Sequence, residues 1–162
     1  WLGLVGPGIR HGGIDSVVWS DHTDIRPTML VLAGLTDDYA HDGRALVEEI
    51  ESGALPAAVR GDDATAFRLL AAAYKQITAP VGELGLKTLE VSTTALAGDD
   101  ATYAKLEGQI AALTTKRDAL AGKMIQKLED AEFHNQHIDL LSTLPLIAEA
   151  EALLVEVRGL GQ

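Results

Sequence analysis

The chain has 162 residues, 47% of them hydrophobic, and a formal net charge of −11. That length holds one domain, or a small domain with an appendage. An acidic surface of this kind repels phosphate backbones and argues against nucleic-acid binding. No apolar stretch reaches the ~18–20 residues that span a bilayer. With no Cys in the sequence, disulfides, thiolate metal sites and thiol nucleophiles are excluded.

Aromatic residues are scarce at 4%. Ala and Leu carry the apolar load, which is a helix-forming composition. The organisation nevertheless changes near Gly53 to Gly61: before it the pattern is mixed α/β, and after it almost wholly helical. Trp1 to Val5 and Ile14 to Trp19 are short apolar runs bounded by Gly or Asp, and both are predicted strands. Gly6-Pro7-Gly8 and Gly12-Gly13 between them are turn signals. Asp24 is placed to cap a helix with Pro27 in its first turn, running through Ala33 and stopped by Gly34. Arg44 to Glu51 is predicted as a second short helix, with Leu46, Val47 and Ile50 on one face.

The remainder reads as three or four helices. Asp62 and Asp63 open a segment through Thr78, where their charge suits the helix dipole. Pro80 and Gly82 interrupt it, and Glu83 to Ala97 restarts the helix or forms a looser connector. Asp99 or Asp100 caps the next helix. Its apolar positions Leu106, Ile110, Leu113, Leu120, Met124 and Leu128 follow the three-and-four spacing of a helix–helix seam, and Arg117 interrupts that seam. Phe133 to Leu141 reads as an inter-helix loop. Thr143 is read as the cap of the last helix, with Pro145 in its first turn and a face of Leu146, Ile147, Ala150, Leu153, Leu154 and Val157.

Few residues offer chemistry. Asp21, His22 and Asp24 are metal-ligand types side by side. The competing reading makes Asp24 a cap and leaves Asp21 and His22 hydrogen-bonded in the preceding turn. His11 lies in a Gly-rich loop, and His41-Asp42-Gly43-Arg44 reads as a turn in which Arg44 can bridge to a carboxylate. His134 and His137, with Glu132 and Asp139 near, have a spacing that can bind metal on a helix, but they fall in the loop. Gly6-Pro7-Gly8 lacks the Lys-Ser/Thr of a phosphate loop, and no Gly-x-Ser-x-Gly elbow is present.

The stretch from Trp1 to Leu46 resembles the C-terminal end of the catalytic domain in the alkaline phosphatase superfamily, which includes sulfatases and related phosphodiesterases. The residues that carry the likeness are Gly6-Pro7-Gly8, a second strand, Asp24-x-x-Pro27-Thr28, the stop at Ala33-Gly34-Leu35, and Asp42-Gly43 before another helix. WSDHTDIRPTMLVLAGL followed by helices resembles actinobacterial-type members with a helical C-terminal extension. The likeness covers less than a third of the chain.

It implies an α/β fragment of two short strands and two helices over residues 1–53, a linker at 54–61, and an all-α hairpin or small bundle over 62–162. It further implies that the chain is scaffold of a metal-dependent phosphoric or sulfuric ester hydrolase that opens inside the catalytic domain. The family's nucleophile and its ligands for two divalent ions, zinc or similar, map to no residue here, so no catalytic, cofactor or metal residue is assigned to the chain. The partners expected are the rest of the catalytic domain and, through the helices, a second copy, with an extracytoplasmic location by family habit. The alternative is an independent helical interaction module.

Overall fold

The computed structural model describes residues 2–161. They are all-helical: 66% of the chain is helix and no strand is present among the described residues. The expected α/β fragment with two strands is therefore incorrect. Trp1 lies outside the described residues; Leu2 to Val5 have no regular structure. Ile14 to Trp19 form no strand either. The Asp15 carboxylate accepts the N–H groups of Val17 (2.7 Å) and Val18 (2.9 Å), closing a local turn in place of a ladder. No strand lies alongside, so Val5 and Val17 stay 98% and 90% exposed. Among the described residues one antiparallel bridge, Ile9 with Ile50, ties this arm down through Arg10 N–H to the Glu49 carbonyl and Glu51 N–H to the Gly8 carbonyl, both 2.8 Å.

Five α-helices follow: α1 (Ile25–Ala33), α2 (Gly61–Thr78), α3 (Glu83–Ala95), α4 (Asp100–His134) and α5 (Leu140–Arg158). Helix α1 ends at Gly34, whose φ of 66° is the left-handed conformation that stops helices. The predicted second helix over Arg44 to Glu51 shrinks to one 3-10 turn, Val47–Glu49. The reason is local. Leu46 (φ −80°, ψ 68°) and Ile50 (φ −100°, ψ 139°) leave the helical region on either side of that turn, while the amides of Arg44, Ala45 and Leu46 find acceptors in the side chains of Asp24, Glu132 and Thr28. Leu46, Val47 and Ile50 are all buried.

Helices α2 to α5 form a bundle in which every pair is in contact. Helix α2 buries Phe67, Leu70, Ala71, Tyr74 and Ile77. Helix α4 has 35 residues, about 52 Å at the usual rise, and buries Leu106, Leu113, Leu120, Met124, Leu128 and Ala131. Asp99 caps it, accepting Thr102 N–H at 2.8 Å. The cap of α5 is Asp139, which accepts Ser142 N–H at 2.7 Å. Thr143 instead lies inside α5, its hydroxyl donating to the Asp139 carbonyl, and Pro145 comes after the first turn. Residues 54–61 are packed as well: Leu55, Ala58 and Val59 are buried, and Ala58 N–H donates to Asn135 Oδ1 at 3.1 Å.

Candidate functional site

The polar residues singled out in the sequence converge at the seam between α1, the 41–46 segment and the bundle. A 3-10 turn, His22–Asp24, precedes α1. Asp21 caps that turn, and Asp24 Oδ2 accepts Asp21 N–H at 3.0 Å. Asp24 does not cap α1 with its side chain. It is fully buried: Oδ1 meets Lys75 Nζ at 2.6 Å and accepts Arg44 N–H at 3.0 Å. Lys75, 1% exposed, also reaches Asp21 Oδ2 and Thr23 Oγ1, each at 3.1 Å. All three ammonium protons thus have an acceptor, which is what a buried charge requires.

The 41–46 segment is held amide by amide. His41 N–H donates to Glu129 Oε1 at 2.9 Å, Ala45 N–H to Glu132 Oε2 at 2.8 Å, and Leu46 N–H to Thr28 Oγ1 at 2.9 Å. Thr28 Oγ1 itself donates to the Asp24 carbonyl at 2.6 Å. Gly43 is required by contact: a Cβ there would lie 2.2 Å from the Thr23 carbonyl oxygen and 2.6 Å from Asp24 N. Arg44, buried, pairs with Glu48 and donates to the Ala45 carbonyl at 3.0 Å. Tyr74 donates its hydroxyl to the Asp42 carbonyl at 3.0 Å. Burial, with the Asp42 charge second, pushes the Tyr74 phenol up to about 12.

These positions decide the fit of a metal. Asp21 and Asp24 do converge, but on the Lys75 ammonium, which takes the place a cation would need. His22 is exposed. Among the described residues no three His, Asp or Glu side chains are grouped to hold an ion. His134 and His137 are exposed and separate in role: His137 Nδ1 lies 2.7 Å from Asp63 Oδ2, Glu132 turns inward to Ala45, and Asp139 caps α5. His11 lies exposed in the arm. His41 is buried, with Nδ1 3.2 Å from Glu129 and its ring 5.3 Å from that of Phe133. At this seam the cation held by Asp21 and Asp24 is the Lys75 ammonium.

A cleft of about 470 Å³ opens beside this network. Asp21, Thr23, His41 and Asp42 line one side, Tyr74, Lys75 and Thr78 its floor, and Arg117, Ala121 and Ile125 of α4 the other side.

Sequence reasoning missed Lys75 and Glu129, and it named Glu132 only as a neighbour of His134 and His137. A signal was present for two of them. Lys75 follows Phe67 and Ala71 at four-residue steps, and Glu132 continues Leu120, Met124 and Leu128 at four-residue steps. A charge in phase with an apolar stripe points into the core, where it must be paired.

No protein-family model, no curated protein and no solved structure matches the chain. Among the described residues no helix is long and apolar enough to cross a membrane.

Proposed function

We propose that the chain is a C-terminal scaffold portion of a metal-dependent phosphoric or sulfuric ester hydrolase of the alkaline phosphatase type, with the nucleophile and metal ligands supplied by sequence outside these 162 residues. The supporting observation is that three of the residues carrying the resemblance, Asp24, Thr28 and Gly43, meet in one interlocked cluster. Asp24 accepts from Arg44, Thr28 accepts from Leu46, and Gly43 sits against the backbone of Thr23 and Asp24. The arm from Leu2 to Val18, with Val5, Ile14 and Val17 uncovered, would provide apolar surface and open backbone for the rest of the catalytic domain.

The test is hydrolysis of p-nitrophenyl phosphate and p-nitrophenyl sulfate with added Zn²⁺. The chain alone should be inactive, and the longer polypeptide carrying a catalytic portion should be active. Turnover by the isolated chain that survives metal chelation would overturn this reading.

A second reading, a helical interaction module, is favoured by one observation. Helix α3 buries Leu84, Val91 and Ala95 on one face and leaves Leu86 and Leu89 exposed on the other, with Leu96 just beyond its end. Leu96, Tyr103, Leu106 and Ile110 line an adjoining apolar cleft of about 250 Å³. Sedimentation of the chain tests it: a concentration-dependent dimer that Leu89→Lys abolishes supports the module, and a monomer at all concentrations removes it.

A further inference from the structure

The segment from His41 to Leu46 is a strap without regular structure of its own, fastened to the bundle mainly by carboxylates. Glu129 holds its first amide, Asp24 that of Arg44, and Glu132 that of Ala45. These carboxylates are not equivalent. Asp24 has the Lys75 ammonium at 2.6 Å. Glu129 is only partly buried and faces His41. Glu132, 3% exposed, has no cation of its own, and its Oε1 lacks any hydrogen-bond partner.

The charges around Glu132 explain what this means. From its own helix it faces Glu129, from the turn before α1 it faces Asp24, and from the strap it faces Arg44. Arg44 is committed to Glu48, the Ala45 carbonyl and the Trp19 carbonyl. Lys75 of α2 is committed to Asp21, Thr23 and Asp24. His41 is engaged by Glu129 and lies 3.5 Å from Asp37. An ionised Glu132 would be a buried anion beside two other carboxylates with no cation bonded to it, Arg44 keeping only its Nε without a partner, a state that costs more than the bond from Ala45 returns.

We propose that the strap is a proton-operated latch: it is closed on the bundle while Glu132 carries its proton and is released when Glu132 ionises and draws in water. Burial is the main cause that pushes the Glu132 carboxyl up to about 8; the Ala45 amide and Arg44 pull the other way, and Glu129 and Asp24 add to the rise. The latch therefore opens on the alkaline side of neutrality. Because the strap also holds Asp24 and Thr28 through Arg44 and Leu46, opening it loosens the hold on α1 while the apolar contacts of α2 to α5 remain. The latch stands apart from the hydrolase reading and needs no catalytic activity to be observed.

The experiment is amide hydrogen exchange on the full chain between pH 7 and 9, expressed as protection factors so that base-catalysed exchange cancels. In the wild type the protection of Ala45 and Leu46 should fall about tenfold or more across that range, following one proton, while Leu70 in α2 stays constant. In Glu132→Gln, which keeps the acceptor for Ala45 and cannot ionise, strap protection should be flat. Tyr74, pushed up to about 12, is silent in this range, and any effect of His41 is common to both proteins. An equal fall in the variant, or no fall in the wild type, overturns the latch. If the variant does not fold, the ¹³C shift of the wild-type Glu132 carboxyl decides. An inflection above pH 7 supports the latch, and an inflection at the ordinary glutamate value of 4.5 overturns it.

Discussion

The arm of residues 2–20 and the helical bundle of residues 61–158 are both apolar in sequence, yet the bundle buries a continuous core and the arm buries only Ile9 among its described residues. Val5, Ile14 and Val17 are 82% or more exposed, whereas Leu70, Met124, Leu128 and Val157 are completely buried. A helix satisfies its own backbone and needs neighbours only for one face; a strand needs neighbours for its backbone as well. The arm finds a neighbour at one point, Ile9 against Ile50, and elsewhere its amides turn to local acceptors such as Asp15. Between the two regions lies the polar clasp of Asp24, Lys75 and the strap. It is there, not in the arm, that the first fifty residues are held to the bundle.

Breaking the clasp should give the largest effect. Lys75→Met leaves Asp24 buried without its cation and should cost about 3–5 kcal/mol, read as a lowered urea midpoint. Adding Asp24→Asn to that variant should recover part of the loss, because the two residues act as a pair. Gly43→Ala forces a Cβ into the Thr23 carbonyl and should cost about 1–3 kcal/mol, with loss of strap protection but helical circular dichroism retained.

Acid should loosen the same clasp from the other direction. Burial raises the Asp21 carboxyl, but the Thr23 hydroxyl and amide together with Lys75 outweigh it and hold it below its ordinary 3.8. Its stabilisation is present above that value and is lost as pH falls through the lower folded one. Glu132 has the opposite sign: its contribution is complete below the ordinary glutamate value of 4.5 and is lost as pH rises through about 8. Melting temperature against pH should thus fall at both ends, and Asp21→Asn should flatten only the acid limb.

The smallest effect belongs to the arm. Val5→Ser and Val17→Ser should each shift stability by no more than about 0.5 kcal/mol in the isolated chain. The hydrolase reading sharpens this contrast, since the same substitutions should weaken a longer polypeptide in which the arm is covered. An equal, negligible effect in both would remove the arm from any such interface.

Much of the helical half was legible. The breaks at Pro80 and Gly82, the cap at Asp99 and the seam from Leu106 to Leu128 all follow from local spacing and turn chemistry, and the structure repeats them. Gly34 was legible as a stop for the same reason. The arm misled because a short apolar run bounded by glycines has the same pattern whether or not a sheet is there to receive it. Arg44 to Glu51 misled because an apolar face in helical phase does not fix the backbone, and here Leu46 and Ile50 leave the helical region on either side of one 3-10 turn.

The sequence by itself located most of the bundle's helices and the break at Pro80 and Gly82, because those depend on residues within a turn or two of one another, but it misplaced the cap of α5 at Thr143 instead of Asp139. Tertiary structure alone decided the role of the acidic knot at Asp21 to Asp24. Its carboxylates cap the short turn before α1 rather than α1 itself, and they hold Lys75, more than fifty positions away, whose ammonium comes to 2.6 Å from Asp24. It also decided that Glu132 is a buried acid rather than a surface one, since only packing against Ala45 and the strap removes it from water.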